Sequence, residues 1–391
     1  MKLLKENQDP QIYILPIVFL FFRLILFSSS PFPIVPGYGD YWNFFNQAGL
    51  GIPFIDYWTE FPPLFPIISK LIFIASQGNE TSFSYGLAFL LSFVQALTIG
   101  LFLLINKNIR PSLSNNNRGW FYLIFTAGLF YTWSYFDSLA VFFMLLGIYW
   151  LTEKKDISAA FAIALGILTK WFPVLILPGL WKIRKKENAL KISLISLGIV
   201  ILVWVGMLWG SPEMTEASLL SQGEKGSWET VWALFDGNLQ TGNFNPLIDR
   251  SSPSTIYIPS GNPSVVPVWL TLVLFGSFGL YLLVKSKKAD NLWLISFTGL
   301  AYIILFLWSP GYSPQWVLYL LPLILLSLPE NEAYLFSGLL ILINILEWPI
   351  LLSRGQFSSL YYLIPLRSLV MIALGVRFYL ISSEIIDLQK G

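Results

Sequence analysis

The chain has 391 residues, 55% hydrophobic and only 12% charged, with a formal net charge of +2; a soluble domain carries about 25% charged residues, so a water-soluble globular fold is excluded. It contains no Cys and no His, which excludes disulfides, thiolate chemistry, Cys-ligated metals and an imidazole base. Any general base must be Asp, Glu, Tyr or Lys, and any metal site must be rich in oxygen ligands.

Apolar segments lie near 12–28, 62–76, 83–105, 119–135, 138–152, 157–181, 189–209, 265–284, 291–308, 316–328, 333–352 and 359–382. Many are long enough to cross hydrocarbon, and they lack the short dyad alternation of a membrane β-barrel. The expected fold is all-α: one polytopic transmembrane helical bundle over 1–391, with about 11–13 membrane segments, two large outer loops and short interfacial helices. Residues 1–11 are basic and polar, and no small-residue cleavage site follows the first apolar run. Segment 12–28 therefore reads as a retained helix rather than a signal peptide. The expected location is a cell membrane, or the endoplasmic reticulum membrane in a eukaryote.

Lys and Arg in short loops set the orientation. The basic loops 107–118, 153–155, 182–191 and 285–288 read as cytoplasmic, whereas 29–61 and 309–315 contain no Lys or Arg and read as outside. Segment 210–264 also falls outside, holds only Lys225 and Arg250 as basic residues, and is rich in Gly, Ser, Asn and Pro. Regular structure is expected there only around 228–236. Segments 62–76 and 83–105 together need an odd number of crossings, so one of them is expected to be interfacial. Segment 157–181 has basic flanks on both sides. Either it turns as a hairpin near Lys170–Pro173, a break of the kind that lines cavities, or it crosses once with 153–155 outside. No solenoid repeat is visible, nor the inverted halves that many transporters show.

The first outer loop, residues 37–64, carries Asp40, Asp56 and Glu60 and no Lys or Arg. Carboxylates beside a bilayer are costly and tend to be functional. Asp40 follows a Pro/Gly run and precedes YWNFFNQA, a short amphipathic interfacial helix; it is a good N-cap and equally a candidate general base. Glu60 precedes Phe61-Pro62-Pro63, where the diproline fixes an extended entry into the next segment. Asp56 reads as a solvated loop residue. Asp137 opens an apolar run as a cap or a site residue. Lys170 sits among apolar residues, where a lysine either snorkels or attracts an anion in a low-dielectric cavity. Arg23 and Arg367 lie toward the outer halves of their helices with the same two readings. Ser227 reads as a helix start with Glu229 near its first turn, and WSPGYSPQW (308–316), which includes Tyr312 and Gln315, as an aromatic turn over a cavity. No Walker A loop or Rossmann fingerprint is present, and the basic residues are confined to juxtamembrane loops, which argues against nucleic-acid binding.

The pieces GDYWNFFNQAGLGIPFIDYWTEFPPL (39–64), FDSLA (136–140), LGILTKWFPVLILP (165–178), GSWETVWAL (226–234) and SPQWVLYLLPLILL (313–326) together resemble the GT-C superfamily of integral-membrane glycosyltransferases, and glycosyltransferase family 87 in particular, the polyprenyl-phosphate-mannose-dependent mannosyltransferases. The resemblance spans about 12 to 328 and carries with it a GT-C type of bundle. It makes Asp40 the catalytic base. It matches the family's Glu-Tyr-Pro-Pro-Leu pattern with Glu60-Phe61-Pro62-Pro63-Leu64, and its Lys-x-x-Pro pattern with Lys170–Pro173. The family's Arg-Gly-x-x-x-Glu-Ser pattern meets Lys225-Gly226-Ser227-Trp228-Glu229-Thr230, one residue shorter and with Lys for Arg; a family His near the site has no counterpart here. The implied reaction is inverting transfer of a hexose, mannose by family, from a lipid-linked sugar phosphate to a lipid, glycan or protein acceptor among the membrane lipids. Lys170 is then the first candidate for the departing phosphate, with Arg367 and Arg23 behind it. Glu60 and Glu229 would bind sugar hydroxyls or a divalent cation; Asp137, Tyr312 and Gln315 complete the expected substrate contacts, with Trp42 and Tyr57 as further stacking surfaces. The alternative is a lipid-linked-sugar flippase or another solute transporter without transferase activity.

Overall fold

The computed structural model describes residues 9–29, 39–110, 117–242, 244–286 and 289–383. The basic N-terminal residues 1–8 and parts of the loops at 30–38, 111–116 and 287–288 lie outside the described residues.

The chain is an all-α bundle. In order it forms α1 (Gln11–Ser29), α2 (Tyr41–Gly49), α3 (Leu64–Ala75), α4 (Glu80–Ile109), α5 (Arg118–Ala127), α6 (Tyr131–Ser134), α7 (Asp137–Thr152) and α8 (Asp156–Thr169). A short 3-10 turn (Phe172–Ile176) leads to α9 (Leu177–Ile183), α10 (Lys186–Gly210), α11 (Pro212–Leu220) and α12 (Val231–Asp236). The last part holds α13 (Val268–Lys285), α14 (Asn291–Trp308), α15 (Val317–Ser327), α16 (Glu330–Ile345) and α17 (Leu360–Ser382). Seven helices among the described residues are long and apolar enough to cross a membrane, and five shorter apolar helices accompany them. This is a multi-pass membrane protein.

Burial follows from that solvent. Every residue of α15 is buried, and its neighbours α7 and α14 are largely buried as well, so these helices form the inner layer. On α13 only Thr271 and Leu282 are buried, while Leu274 and Val273 are exposed. Such a face would be intolerable in water but costs nothing against lipid tails. Tight inner packing depends on small residues: a Cβ on Gly147 of α7 would meet Ile163 of α8 at 2.9 Å.

The bundle has two chemically distinct ends. At one end the basic loops meet: Asn108 donates to Glu153 at 2.7 Å, Arg184 to Asp156 at 3.0 Å, Lys182 to the Ser286 carbonyl at 3.1 Å, and Arg377 pairs with Glu332. At the other end the acidic first loop, residues 221–250 and residues 309–316 surround a cavity.

The two awkward segments resolve through these anchors. Helix α3 does not cross. Phe45 of α2 touches both Phe73 of α3 and Phe83 near the start of α4, and Lys70 donates to the Ala48 carbonyl at 2.8 Å. Its 12 residues reach only about 18 Å, and both its ends stay at the cavity end, so α4 alone makes the crossing. Segment 157–181 is a hairpin: α8 climbs from Asp156 to Lys170, the chain reverses at Pro173, and Arg184 returns to Asp156.

Three local expectations need correction. Segment 210–264 holds regular structure beyond 228–236: α11 spans Pro212–Leu220 and a 3-10 turn spans Pro253–Tyr257, each with a proline in its first turn. Segment 119–135 is not one helix. Arg23 of α1 donates to the Thr126 carbonyl (3.2 Å) and the Thr132 hydroxyl (2.5 Å), holding the chain open between α5 and α6. The second diproline residue does not extend the chain, for Pro63 already has helical φ −62° and ψ −30°, the geometry that suits proline to the first turn.

Candidate functional site

The cavity measures about 680 Å3. Its first wall is α2. Tyr41, Phe44 and Ala48 turn inward, with Phe44 packed edge-on against Phe65 at 4.7 Å. Trp42, Asn43, Asn46 and Gln47 are left to line the cavity.

Asp40 starts this helix through its backbone: its carbonyl accepts the Phe44 amide at 2.8 Å. Its carboxylate makes no capping bond. The side chain instead faces the cavity, and Asn43 approaches it at 3.4 Å. Burial pushes the Asp40 carboxyl up to about 6. The Asn43 hydrogen bond and the Lys170 charge oppose that rise, while Glu60 and Asp137 add to it. A carboxyl poised there is a competent base near neutral pH.

Glu60 enters from the end of the first loop, and Arg250 clamps it with two hydrogen bonds of 2.5 and 3.1 Å. Burial alone would raise its carboxyl, but the Arg250 charge and hydrogen bonds, assisted by Lys225, hold it below the usual carboxylate range. Gln222 donates to the Glu60 carbonyl.

The floor is an ion pair. Asp137 is the first residue of α7, preceded by Phe136 in the capping position, so it is not the cap. Lys170 meets it at 2.6 Å. The lysine does not snorkel: its ammonium lies 5.1 Å from the Phe136 ring, 5.3 Å from Phe172 and 5.4 Å from Trp316. Asp137 keeps Oδ2 without a hydrogen-bond partner.

The last wall is built by a long-range backbone bridge. The Trp228 amide donates to the Pro310 carbonyl at 3.2 Å and the Tyr312 amide to the Trp228 carbonyl at 3.1 Å. This clamps 223–228 against 309–312 and brings Lys225, Trp228 and Gln315 to the cavity. Lys225 donates to the Gln222 side chain at 2.9 Å and makes no ion pair among the described residues. Burial lowers its ammonium to about 8; Glu60 opposes the fall, and Lys170 and Arg250 add to it. Trp171, Val174, Leu175, Leu305 and Trp308 give the cavity one apolar side.

Of the residues expected at the site, Asp40, Glu60, Asp137, Lys170, Gln315 and Trp42 line this one cavity. Four others do not. Arg23 is 1% exposed and spends its guanidinium on Thr126, Thr132 and the Trp133 ring, 3.9 Å away. Arg367 is buried against Glu347, the Glu229 carbonyl and the Tyr312 ring. Tyr312 is turned inward to Asn344 at 3.0 Å. Glu229 lies outside the cavity, one residue before the true cap Thr230, whose hydroxyl accepts the Ala233 amide; the helix starts later than Ser227 implied. Tyr57 is likewise buried away from the cavity. Glu60 lines the cavity and Glu229 does not, and no group of three or more acidic side chains that could hold a metal ion occurs among the described residues. Asp56 accepts the Ile52 amide in a turn at 2.6 Å, the structural part expected of it.

Arg250 and Lys225 are the residues whose weight the sequence understated. Their signal was present: they are the only cations of 210–264. Once Arg250 neutralises Glu60 and Asp137 neutralises Lys170, the cavity retains, among the described residues, one carboxylate outside an ion pair, Asp40, and one such ammonium, Lys225. The site thus offers a base and an anion contact beside an apolar wall.

No family model matches this chain, and no curated protein matches it.

Proposed function

We propose that this protein is an integral-membrane glycosyltransferase of GT-C type, moving a hexose, mannose by its resemblance to glycosyltransferase family 87, from a polyprenyl-phosphate carrier to an acceptor hydroxyl on the non-cytoplasmic face. The acceptor oxygen attacks the anomeric carbon as the carbon–oxygen bond to phosphate breaks. Asp40 takes the hydroxyl proton, and polyprenyl phosphate departs with the bonding pair. Inversion follows from attack opposite the leaving group. Lys225 offers the departing phosphate an ammonium that no carboxylate has neutralised, with the Lys170–Asp137 pair beneath it. Fixed cations of this kind commonly supply much of the rate enhancement.

One observation carries this reading: Asp40, whose carboxylate makes no capping bond, shares a cavity with Lys225 and an apolar wall. Depth supports it too. Helices α7 and α8 have 16 and 14 residues and rise about 24 and 21 Å, less than the ~30 Å hydrocarbon core. A floor at that level suits a carrier whose chain stays in lipid and whose phosphate sits near the surface.

The test is reconstitution with labelled polyprenyl-phosphate hexoses and candidate acceptors. Label should pass to the acceptor with the wild type and not with Asp40→Asn. Undiminished transfer by that variant would remove Asp40 from the mechanism. Label that changes leaflet while remaining on its carrier would identify the flippase alternative.

A further inference from the structure

Behind the cavity wall lies a group of ionisable side chains for which the transfer step has no use. Glu229 and Glu347 are 3% and 0% exposed, and between them stands one guanidinium, Arg367. Arg367 donates to Glu347 Oε2 and to the Glu229 backbone carbonyl, and its other face covers the Tyr312 ring at 3.9 Å. Glu229 Oε2 and Glu347 Oε1 have no hydrogen-bond partner. Glu229 also has φ +53°, a conformation that costs a non-glycine residue free energy unless its surroundings enforce it.

We infer that Glu229 is protonated and reaches Glu347 through that proton, and that this contact clasps the Lys225–Trp228 wall of the cavity onto α17 and the turn that follows α16. The argument is charge balance in a dry site. Two carboxylates and one guanidinium cannot all be ionised without leaving a buried negative charge, and two carboxylates sharing such a site do not both ionise near neutrality. A proton on Glu229 turns repulsion into an attraction that reaches Glu347. The neighbours facing Glu229 do not remove the problem: besides Glu347 and Arg367 they are the phenols Tyr312, Tyr131 and Tyr135, which bring no positive charge. Consistently, burial pushes the Glu229 carboxyl well above its ordinary range; Glu347 adds to the rise, and Arg367 opposes it.

The clasp acts on the cavity through one residue. Glu229 directly follows Trp228, whose amide and carbonyl form the bridge to Pro310 and Tyr312 and whose ring covers Gly311 so closely that a Cβ there would collide with it. Losing the proton would place two like charges under this bridge and loosen 225–230. Glu229 and Glu347 are thus positioning residues for the wall that carries Lys225, whatever the cavity transforms.

Hydrogen exchange of the full-length protein in nanodiscs, corrected for the intrinsic pH dependence of exchange, tests this without any substrate. Between about pH 5 and about pH 9.5 the amides of 226–233 should lose at least about tenfold protection in the wild type. In Glu229→Gln, a neutral isostere of the protonated acid, protection should persist across the range. Lys225 titrates in the same interval but is intact in this variant, so it cannot account for a difference. Should Glu229→Gln not fold, Glu347→Gln serves the same purpose. Protection independent of pH in the wild type, or the same alkaline loss in the carboxamide variants, would overturn the clasp.

Discussion

Arg250 reaches across 190 residues of sequence to hold Glu60 with both of its terminal nitrogens, and this pair, beside the Gln222 bond to the Glu60 carbonyl, ties the second large loop to the first. Its guanidinium also lies 4.6 Å from the Trp58 ring, and the Arg250 carbonyl accepts the Trp58 amide at 3.0 Å. The residue is a hub of the cavity rim. Arg250→Met should lower unfolding stability by about 2–3 kcal/mol, less than a fully buried pair because Glu60 remains in partial contact with solvent. Thermal unfolding in detergent measures it. The double variant with Glu60→Gln should lose less than the sum of the two single variants.

The two cavity groups outside ion pairs set a pH window. Asp40 must be ionised to accept a proton, so transfer should rise as pH passes about 6. Lys225 must be charged to hold an anion, so transfer should fall as pH passes about 8. A bell between these limits is expected in kcat/KM. Lys225→Arg should remove the alkaline fall. Lys225→Met should reduce transfer about 10²-fold near neutrality, the usual order for losing a contact to developing charge.

The floor pair tunes the Asp40 carboxyl. Asp137 adds to the rise of Asp40 and Lys170 opposes it. Asp137→Asn should therefore move the acid limb of the profile to lower pH, and Lys170→Met should move it higher. A pH–rate series on the two variants distinguishes them by the sign of the displacement.

Gly311 leaves no room for a side chain beneath Trp228. Gly311→Ala should force the indole out of the cavity wall, costing about 1–3 kcal/mol of stability and slowing transfer. A Trp228→Leu, Gly311→Ala double variant should recover most of the stability in the same thermal assay, because the clash has been removed.

Sidedness is directly accessible because the chain has no Cys. Glu213→Cys lies at the cavity end and Lys186→Cys at the basic end. A membrane-impermeant maleimide added outside intact cells should label the first and not the second. The reverse pattern would place the cavity in the cytoplasm.

The sequence by itself determined the class of fold and most of the helices. Long apolar runs with no alternation can satisfy their backbone groups in lipid only as helices, so α1, α4, α10, α14 and α17 fall where the residues place them. It also marked Asp40, Glu60 and Lys170, because charge in so apolar a chain is rare enough to stand out. Depth and partnership were another matter. Arg23, Arg367 and Lys170 look alike in one dimension, each a cation within an apolar run. Only packing shows that Arg23 is spent on Thr126 and Thr132, Arg367 on Glu347, and Lys170 on Asp137 in the cavity floor. Likewise, Asp40 fits the sequence rule for a cap, yet its carboxylate makes no capping bond, and Arg250 finds Glu60 only when the loops close. Hydrophobicity is a local property that sums along a segment; the partner of a buried charge lies on another element, from 20 positions away for Arg367 and Glu347 to 190 for Arg250 and Glu60, and tertiary structure alone decides it.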